Sequence, residues 1–249
     1  MRGATSHAAA CTRVAALFRQ RWLRHYVSSK LRSDPVFARV GDVLQDSTEP
    51  LLDVGCGVGL LPFYLRERGF RPAILGLDTD ARKLRPARLV AAHYEQIEFA
   101  QQDVREPLPV FAGNVAVLDV VHYLSPPEQQ ALLSSLAARV RPGGVLLLRE
   151  TPRDGSARFW MTHVGERFAQ AISWNIGVPL QFPTRAALNA PFTEQEFTRA
   201  EEPSWGGTPF NNRLFTFRRR ATPVVPAAGS HSDIPAPPAA AKSAPGSAG

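Results

Sequence analysis

The sequence predicts an α/β fold, a largely parallel sheet covered on both faces by helices, and three observations carry that prediction. From residue 50 onward, short apolar runs alternate with amphipathic stretches, the pattern of strands linked by crossover helices. A glycine-rich turn, Gly55-Cys56-Gly57-Val58-Gly59, follows the first of these runs directly. Acidic residues, Asp53, Asp78 and Asp103, fall at the carboxyl ends of three successive runs.

Taken in order, residues 1–11 are small, polar and without pattern, which predicts disorder. Residues 12–31 read as one helix, because Val14, Phe18, Trp22 and Tyr26 recur every fourth position and would stack along one side. Ser33-Asp34-Pro35 ends it and offers an N-cap to a second helix through Val36, Phe37, Val40, Val43 and Leu44. Residues 12–49 thus form a basic helical segment ahead of the main domain, 50–220. Strands are predicted at 51–54, 73–78, 97–101, 115–121 and 145–149, with helices at 60–68, 80–94 and 127–140. The last of these helices stops at Arg141-Pro142-Gly143-Gly144. A helix over 157–174 follows. Two more β-like runs, 197–205 and 213–219, flank a hairpin connection rich in Gly and Asn and bring the count to seven strands. Beyond 221 the chain is Pro, Ala, Ser and Gly with few large apolar residues, too little to offset the entropy of ordering.

The 249 residues are 44% hydrophobic and 20% charged, ordinary for a globular domain, with no run long enough to span a bilayer. Two well-separated cysteines, Cys11 and Cys56, suit a reducing compartment and a cytoplasmic location. The six His and two Cys show no metal-ligand spacing, so no metal is expected. The net charge of +7 lies entirely within residues 1–40, where eight Lys and Arg residues face the single acid Asp34. The remainder is balanced.

The strand-loop-helix setting of Gly55, Gly57 and Gly59 lets backbone N–H groups approach a ligand closely. Leu60 stands where a dinucleotide fingerprint needs its third Gly, and Asp53 would repel a phosphate but suits an ammonium group. No Gly-Lys-Ser/Thr follows. Asp78, with Thr79 beside it, sits about 20 residues past the loop, where a carboxylate accepts from ribose hydroxyls. Asp103 can accept from an adenine amino group while Val104 packs on the ring.

In this order, Leu-Leu-Asp-Val-Gly-Cys-Gly-Val-Gly, Leu-Gly-Leu-Asp, Gln-Asp-Val, Leu-Asp-Val-Val-His-Tyr-Leu and Arg-Pro-Gly-Gly resemble the motifs of class I S-adenosylmethionine-dependent methyltransferases over about residues 50–150. The resemblance implies a Rossmann-like seven-stranded sheet of order 3-2-1-4-5-7-6 with the last strand antiparallel. It implies S-adenosylmethionine as cofactor, with Asp53, Gly55, Cys56, Gly57 and Gly59 at the methionine portion, Asp78 and Thr79 at the ribose, Asp103 and Val104 at the adenine, and Asp119 beside them. The amino-terminal helices and residues 151–212 would be the lid and the variable substrate region.

Methyl transfer requires alignment and, where the nucleophile carries a proton, a base. Asp119, His122 and Tyr123 follow the fourth strand and Glu150, Asp154 and His163 the fifth; His122 leads as the base or substrate-orienting group, and a structural histidine is the competing reading. Thr208, Asn211 and Asn212 of the hairpin would reach the same face, although turn chemistry also explains them. Phe159, Trp160, Trp174 and Trp205 offer aromatic surface. Asp119-Val120-Val121-His122 departs from the Asn/Asp-Pro-Pro-Tyr/Phe signature of amino-group methylation, which disfavours nucleic-acid bases. What remains is oxygen or carbon of a small-molecule, aromatic or acyl/lipid-derived acceptor. Residues 149–217 are also similar to bacterial methyltransferases of fatty-acid, polyketide or aryl-polyene pathways. The basic helix then suits an acidic acyl carrier protein or an anionic membrane surface, which would place the protein at the periphery of the inner membrane. A solvated lid face and a targeting segment are alternatives for the helix; an RNA methyltransferase and a non-catalytic cofactor-binding module are alternatives for the whole.

Overall fold

The computed structural model describes residues 5–154, 180–206 and 211–221. The helix expected over 157–174, with Phe159, Trp160, His163 and Trp174, lies outside these residues, as do Thr208 and the tail beyond 221.

Seven strands form one sheet in the order β3-β2-β1-β4-β5-β7-β6. They are β1 Leu51–Val54, β2 Ile74–Asp78, β3 Ile97–Gln101, β4 Asn114–Leu118, β5 Val145–Glu150, β6 Phe197–Pro203 and β7 Arg213–Arg219. The first five run parallel and β7 pairs antiparallel with both β5 and β6. Successive strand residues point to opposite faces. Leu51 and Leu147 therefore join the core under the amino-terminal helices, whereas Leu52, Leu146 and Leu148 join the core on the other side.

Helices α1 His7–Leu17, α2 Arg21–Ser33, α3 Val36–Leu44, α4 Leu60–Arg68 and α5 Ala81–Ala91 contribute to the first core. Helices α6 Pro126–Arg139 and α7 Arg185–Asn189 contribute to the second. Local chemistry sets their ends: Gly69, at φ 102°, closes α4, with its N–H on Arg66 O and the Phe70 N–H on Leu65 O. The Glu128 carboxylate accepts from Ser125 N at 2.7 Å to open α6.

The amino-terminal expectations need two corrections. Residues 7–11 are helical: Ser6 caps α1 by accepting from Ala9 N, and the small residues Ala10, Cys11 and Val14 pack fully buried. The expected single helix over 12–31 is broken at 18–20, where Phe18 and Gln20 take extended backbone. The break lets Phe18 turn inward to meet Phe63, ring centroids 6.2 Å apart, and shifts the phase of the next helix. Helix α2 buries Leu23, Val27 and Leu31, so Trp22 and Tyr26 are exposed instead of continuing the stripe begun by Val14 and Phe18. Strand β4 also stops at Leu118, short of the expected 121, because Asp119 takes a left-handed φ of 58° and leads into a 3-10 turn, Val121–Tyr123.

One buried cation joins the helical segment to the sheet. Arg149 on β5 bonds Asp119 through Nε and Nη2 and donates from Nη1 to both oxygens of Asp34 at 2.6 Å. Burial opposes its charge, yet Asp119 and then Asp34 outweigh that cost and raise its pKa. Burial alone would lift the Asp34 carboxyl too, but Arg149 and Lys30 hold it below the ordinary range. This part of the stability is complete above the usual carboxylate range and is lost as pH falls through the lowered value. Arg149→Leu should cost about 3–5 kcal/mol, since it strands buried carboxylate charge. Urea unfolding at neutral pH measures it, and a loss under about 1 kcal/mol would assign the arginine no more than the weight of an exposed pair.

Candidate cofactor and active site

The loop after β1 is built around close approaches. Gly55, at φ 76°, passes so near Val120 that a Cβ there would lie 2.2 Å from Val120 Cγ2. Gly57, at φ 57°, faces open space and donates its N–H to Asp78 Oδ2 at 2.8 Å. Gly59 differs: a Cβ would strike Phe63 and Phe99 at 2.7 Å, so this glycine serves core packing, and it lines neither cavity at the carboxyl edge of the sheet.

Two cavities open along that edge and share Gly55 and Asp119 as wall. The larger, about 500 Å3, is lined by Asp78, Thr79, Asp103, Val104 and Tyr123, together with Arg82, Lys83, Gln102 and Arg105. The smaller, about 160 Å3, is lined by Asp53, Cys56 and Gly57 from the loop, by Tyr26 and Lys30 from α2, and by Arg149. The scale of the larger suits a bound small molecule.

Asp53 is 3% exposed and its Oδ2 has no hydrogen-bond partner. Burial, reinforced by the nearby Asp78 carboxylate, pushes its pKa up to about 8. Asp78 is held by the N–H groups of Gly57 and Asp80, each at 2.8 Å, and a carboxylate so held retains lone pairs for hydroxyl donors. Asp103 accepts from Arg105 N at 2.9 Å. The Cys56 thiol is pushed well up by burial, then by Asp53 and Asp78, which leaves it protonated and unreactive at neutral pH.

His122 is buried and its Nδ1 lies 2.7 Å from Glu150 Oε1, while Glu150 also accepts from the N–H groups of His122 and Thr151. A carboxylate on Nδ1 fixes that proton and directs basicity to Nε2. The ring packs against Tyr123 and Phe182, with centroids 4.2 and 5.3 Å away. Thus Tyr123 and Asp119 reach the cavity walls and His122 stands one ring behind them. Among the hairpin candidates, Asn211 donates to Asp154 at 2.8 Å and Asn212 accepts from Thr151 at 2.8 Å, bracing the segment after β5. Trp205 carries Arg213 over its ring.

Sequence reasoning missed the lining cations Arg82, Lys83 and Arg105, and it missed Lys30, Tyr26 and Arg149 at the smaller cavity. No local pattern marks them; Asp34 alone, as the single acid in the basic segment, signalled a partner.

Asp53 also makes the protein without cofactor pH-sensitive. Its folded pKa is raised, so its contribution is full below the ordinary carboxylate value and is lost as pH rises through the folded one. The melting temperature of Asp53→Asn should exceed that of the wild type by a gap that opens above about pH 4 and levels off beyond pH about 8. Parallel profiles of the two proteins would show Asp53 to be ionised throughout.

Residues 51–144 match the family model for a methyltransferase domain. Trans-aconitate 2-methyltransferase of Azoarcus sp. strain BH72 is 32% identical over 128 residues, which cover 45% of this chain and 49% of that protein. Ubiquinone biosynthesis O-methyltransferase of Erwinia tasmaniensis is 32% identical over 120 residues, covering 47% and 48%. The chain spans about half the length of these curated relatives. The crystal structure of magnesium protoporphyrin IX methyltransferase from Synechocystis PCC 6803 with bound SAH aligns at TM-score 0.57 and 20% identity, covering 88% of this chain and 90% of that one. The pyocyanin biosynthetic protein PhzM aligns at 0.59 and 15%, covering 83% and 61%, and both structures share the fold. With the sheet order and the glycine loop, this match identifies residues 51–144 as a methyltransferase domain on a Rossmann-like seven-stranded sheet.

Proposed function

We propose that the protein transfers a methyl group from S-adenosylmethionine to an oxygen or carbon of a small-molecule acceptor, with oxygen favoured. The observation that carries the reading is Asp53: a buried carboxylate oxygen without a partner, in the wall of a cavity that shares Gly55 and Asp119 with one walled by Asp78 and Asp103. The amino acid end of the cofactor offers the ammonium that Asp53 lacks, and its ribose and adenine offer donors to Asp78 and Asp103. When bound, the cofactor supplies an electrophilic methyl on a sulfonium.

The chain's own work is to bind, orient and remove a proton. Gly55 and Gly57 let the loop backbone approach the ligand, and Val104 gives the larger cavity an apolar wall. Glu150 orients His122 as a base, and a base matters when the acceptor is a hydroxyl, which favours oxygen. The name of one relative, an O-methyltransferase of ubiquinone biosynthesis, supports the same choice. Acceptors of aromatic or acyl origin suit the aromatic setting of Tyr123 and Phe182 beside His122.

Two measurements test this. Isothermal calorimetry of S-adenosylhomocysteine in buffers of different ionisation enthalpy should show release of about one proton at neutral pH, as the ligand ammonium draws Asp53 into its charged form. Binding without proton release would remove Asp53 from the role. In a screen of hydroxylated aromatic and acyl acceptors with methyl-labelled cofactor, His122→Ala should lower kcat roughly 100-fold or more with little change in cofactor affinity. An unchanged kcat would leave His122 structural.

A further inference from the structure

Helix α2 turns two aromatic rings and a row of cations to solvent beside the smaller cavity. Trp22 is 54% and Tyr26 49% exposed, and at four residues apart they share one side of the helix. Arg21, His25 and Arg32 form the adjoining exposed strip, with Arg19 just ahead of the helix and Arg24 on its far side. Elsewhere many arginines meet carboxylates, as in Arg39 with Glu202, Arg68 with Asp42 and Arg141 with Glu49, and others such as Arg66, Arg88 and Arg139 bond backbone carbonyls. Among the described residues, Arg19, Arg21, Arg24 and Arg32 form no ion pair; Arg24 bonds Phe18 O and Arg32 bonds Thr12 Oγ1. A solvated helix face ordinarily interleaves acids with its bases, and here no acid precedes Asp34. Tyr26 and Lys30 carry this face into the wall of the smaller cavity.

We propose that α2 docks on an anionic lipid surface, with Trp22 and Tyr26 entering the headgroup layer and the flanking arginines meeting lipid phosphates. Aromatic rings bordered by arginines on a single convex helix have the composition of interfacial helices. The cations spread over three turns of helix, which matches a continuous sheet of negative charge; an acidic protein partner would favour a recess or a focused cluster, and α2 presents neither. No helix among the described residues is long and apolar enough to cross a membrane, so the contact is peripheral. Docked in this way, α2 holds the cavity near the layer from which a lipid-like acceptor would enter. That last step rests on the methyl-transfer reading, whereas the docking does not.

The test is co-sedimentation of the full chain with vesicles of equal parts phosphatidylglycerol and phosphatidylcholine, and with phosphatidylcholine alone, in the absence of cofactor. Binding should require phosphatidylglycerol and fall at high salt. Arg19→Gln with Arg21→Gln should weaken it roughly 25-fold, at about fivefold per charge near the surface. Trp22→Ala should weaken it further. The double arginine variant should keep wild-type affinity for S-adenosylhomocysteine, which reports an intact fold. Equal binding to both vesicle types, no binding to either, or wild-type binding by the double variant would overturn the proposal. Capture of an acidic carrier protein without vesicle binding would overturn it as well. Failure of the wild type to bind S-adenosylhomocysteine would count against the methyl-transfer reading and leave the vesicle result standing.

Discussion

Arg149 reaches from β5 to Asp119 on one side and to Asp34 on the other, and these two carboxylates fix where the amino-terminal helices sit over the strand ends. Asp34 is a junction in its own right. It follows the last residue of α2, accepts from Val36 N at the start of α3 and pairs with Lys30 one turn back. A single side chain thus sets the end of one helix, the start of the next and their attachment to the sheet. Helix α2 is anchored independently by Leu23, Val27 and Leu31, but apolar contacts are non-directional and leave its rotation loosely defined. The charged junction supplies direction, and with it the placement of Tyr26 and Lys30 at the smaller cavity.

Two buried charges meet in the wall of that cavity and are treated in opposite ways. Arg149 has its countercharges from within the chain and stays ionised. Asp53 has none, and burial beside Asp78 drives it toward the neutral form. An unmet carboxylate is costly for a fold and useful for a site, because a cationic ligand removes the cost when it binds. Among these groups it is Asp53, rather than the fully paired Asp119, that has electrostatic demand left for a ligand.

Much of the sheet was legible in the sequence because it is written locally. Each strand from β1 to β5 is a short apolar run closed by a turn signal, and the predicted ends of β1, β3 and β7 match those observed. The glycine loop and the acids at the strand ends were legible for the same reason. The break at Phe18 was not. Val14, Phe18, Trp22 and Tyr26 keep a perfect helical period, and only the tertiary contact of Phe18 with Phe63 shows that the period spans two helices of different phase. The Arg149 bridge spans 115 residues to Asp34, and the His122–Glu150 pair spans 28. Periodicity and motif spacing carry no information about such pairs.

The basic character of the chain and the smaller cavity meet at α2. A cationic ligand would be opposed by a positively charged wall, and the whole net charge of the chain lies in the segment that supplies part of that wall. The conflict is resolved by pairing. Lys30 and Arg149, the two cations that reach the smaller cavity, are neutralised by Asp34 and Asp119, while the uncompensated arginines of α2 line neither cavity. Exposed charge of this kind is screened by salt within about 10 Å, so it can answer to an external anionic surface while the wall of the smaller cavity stays balanced.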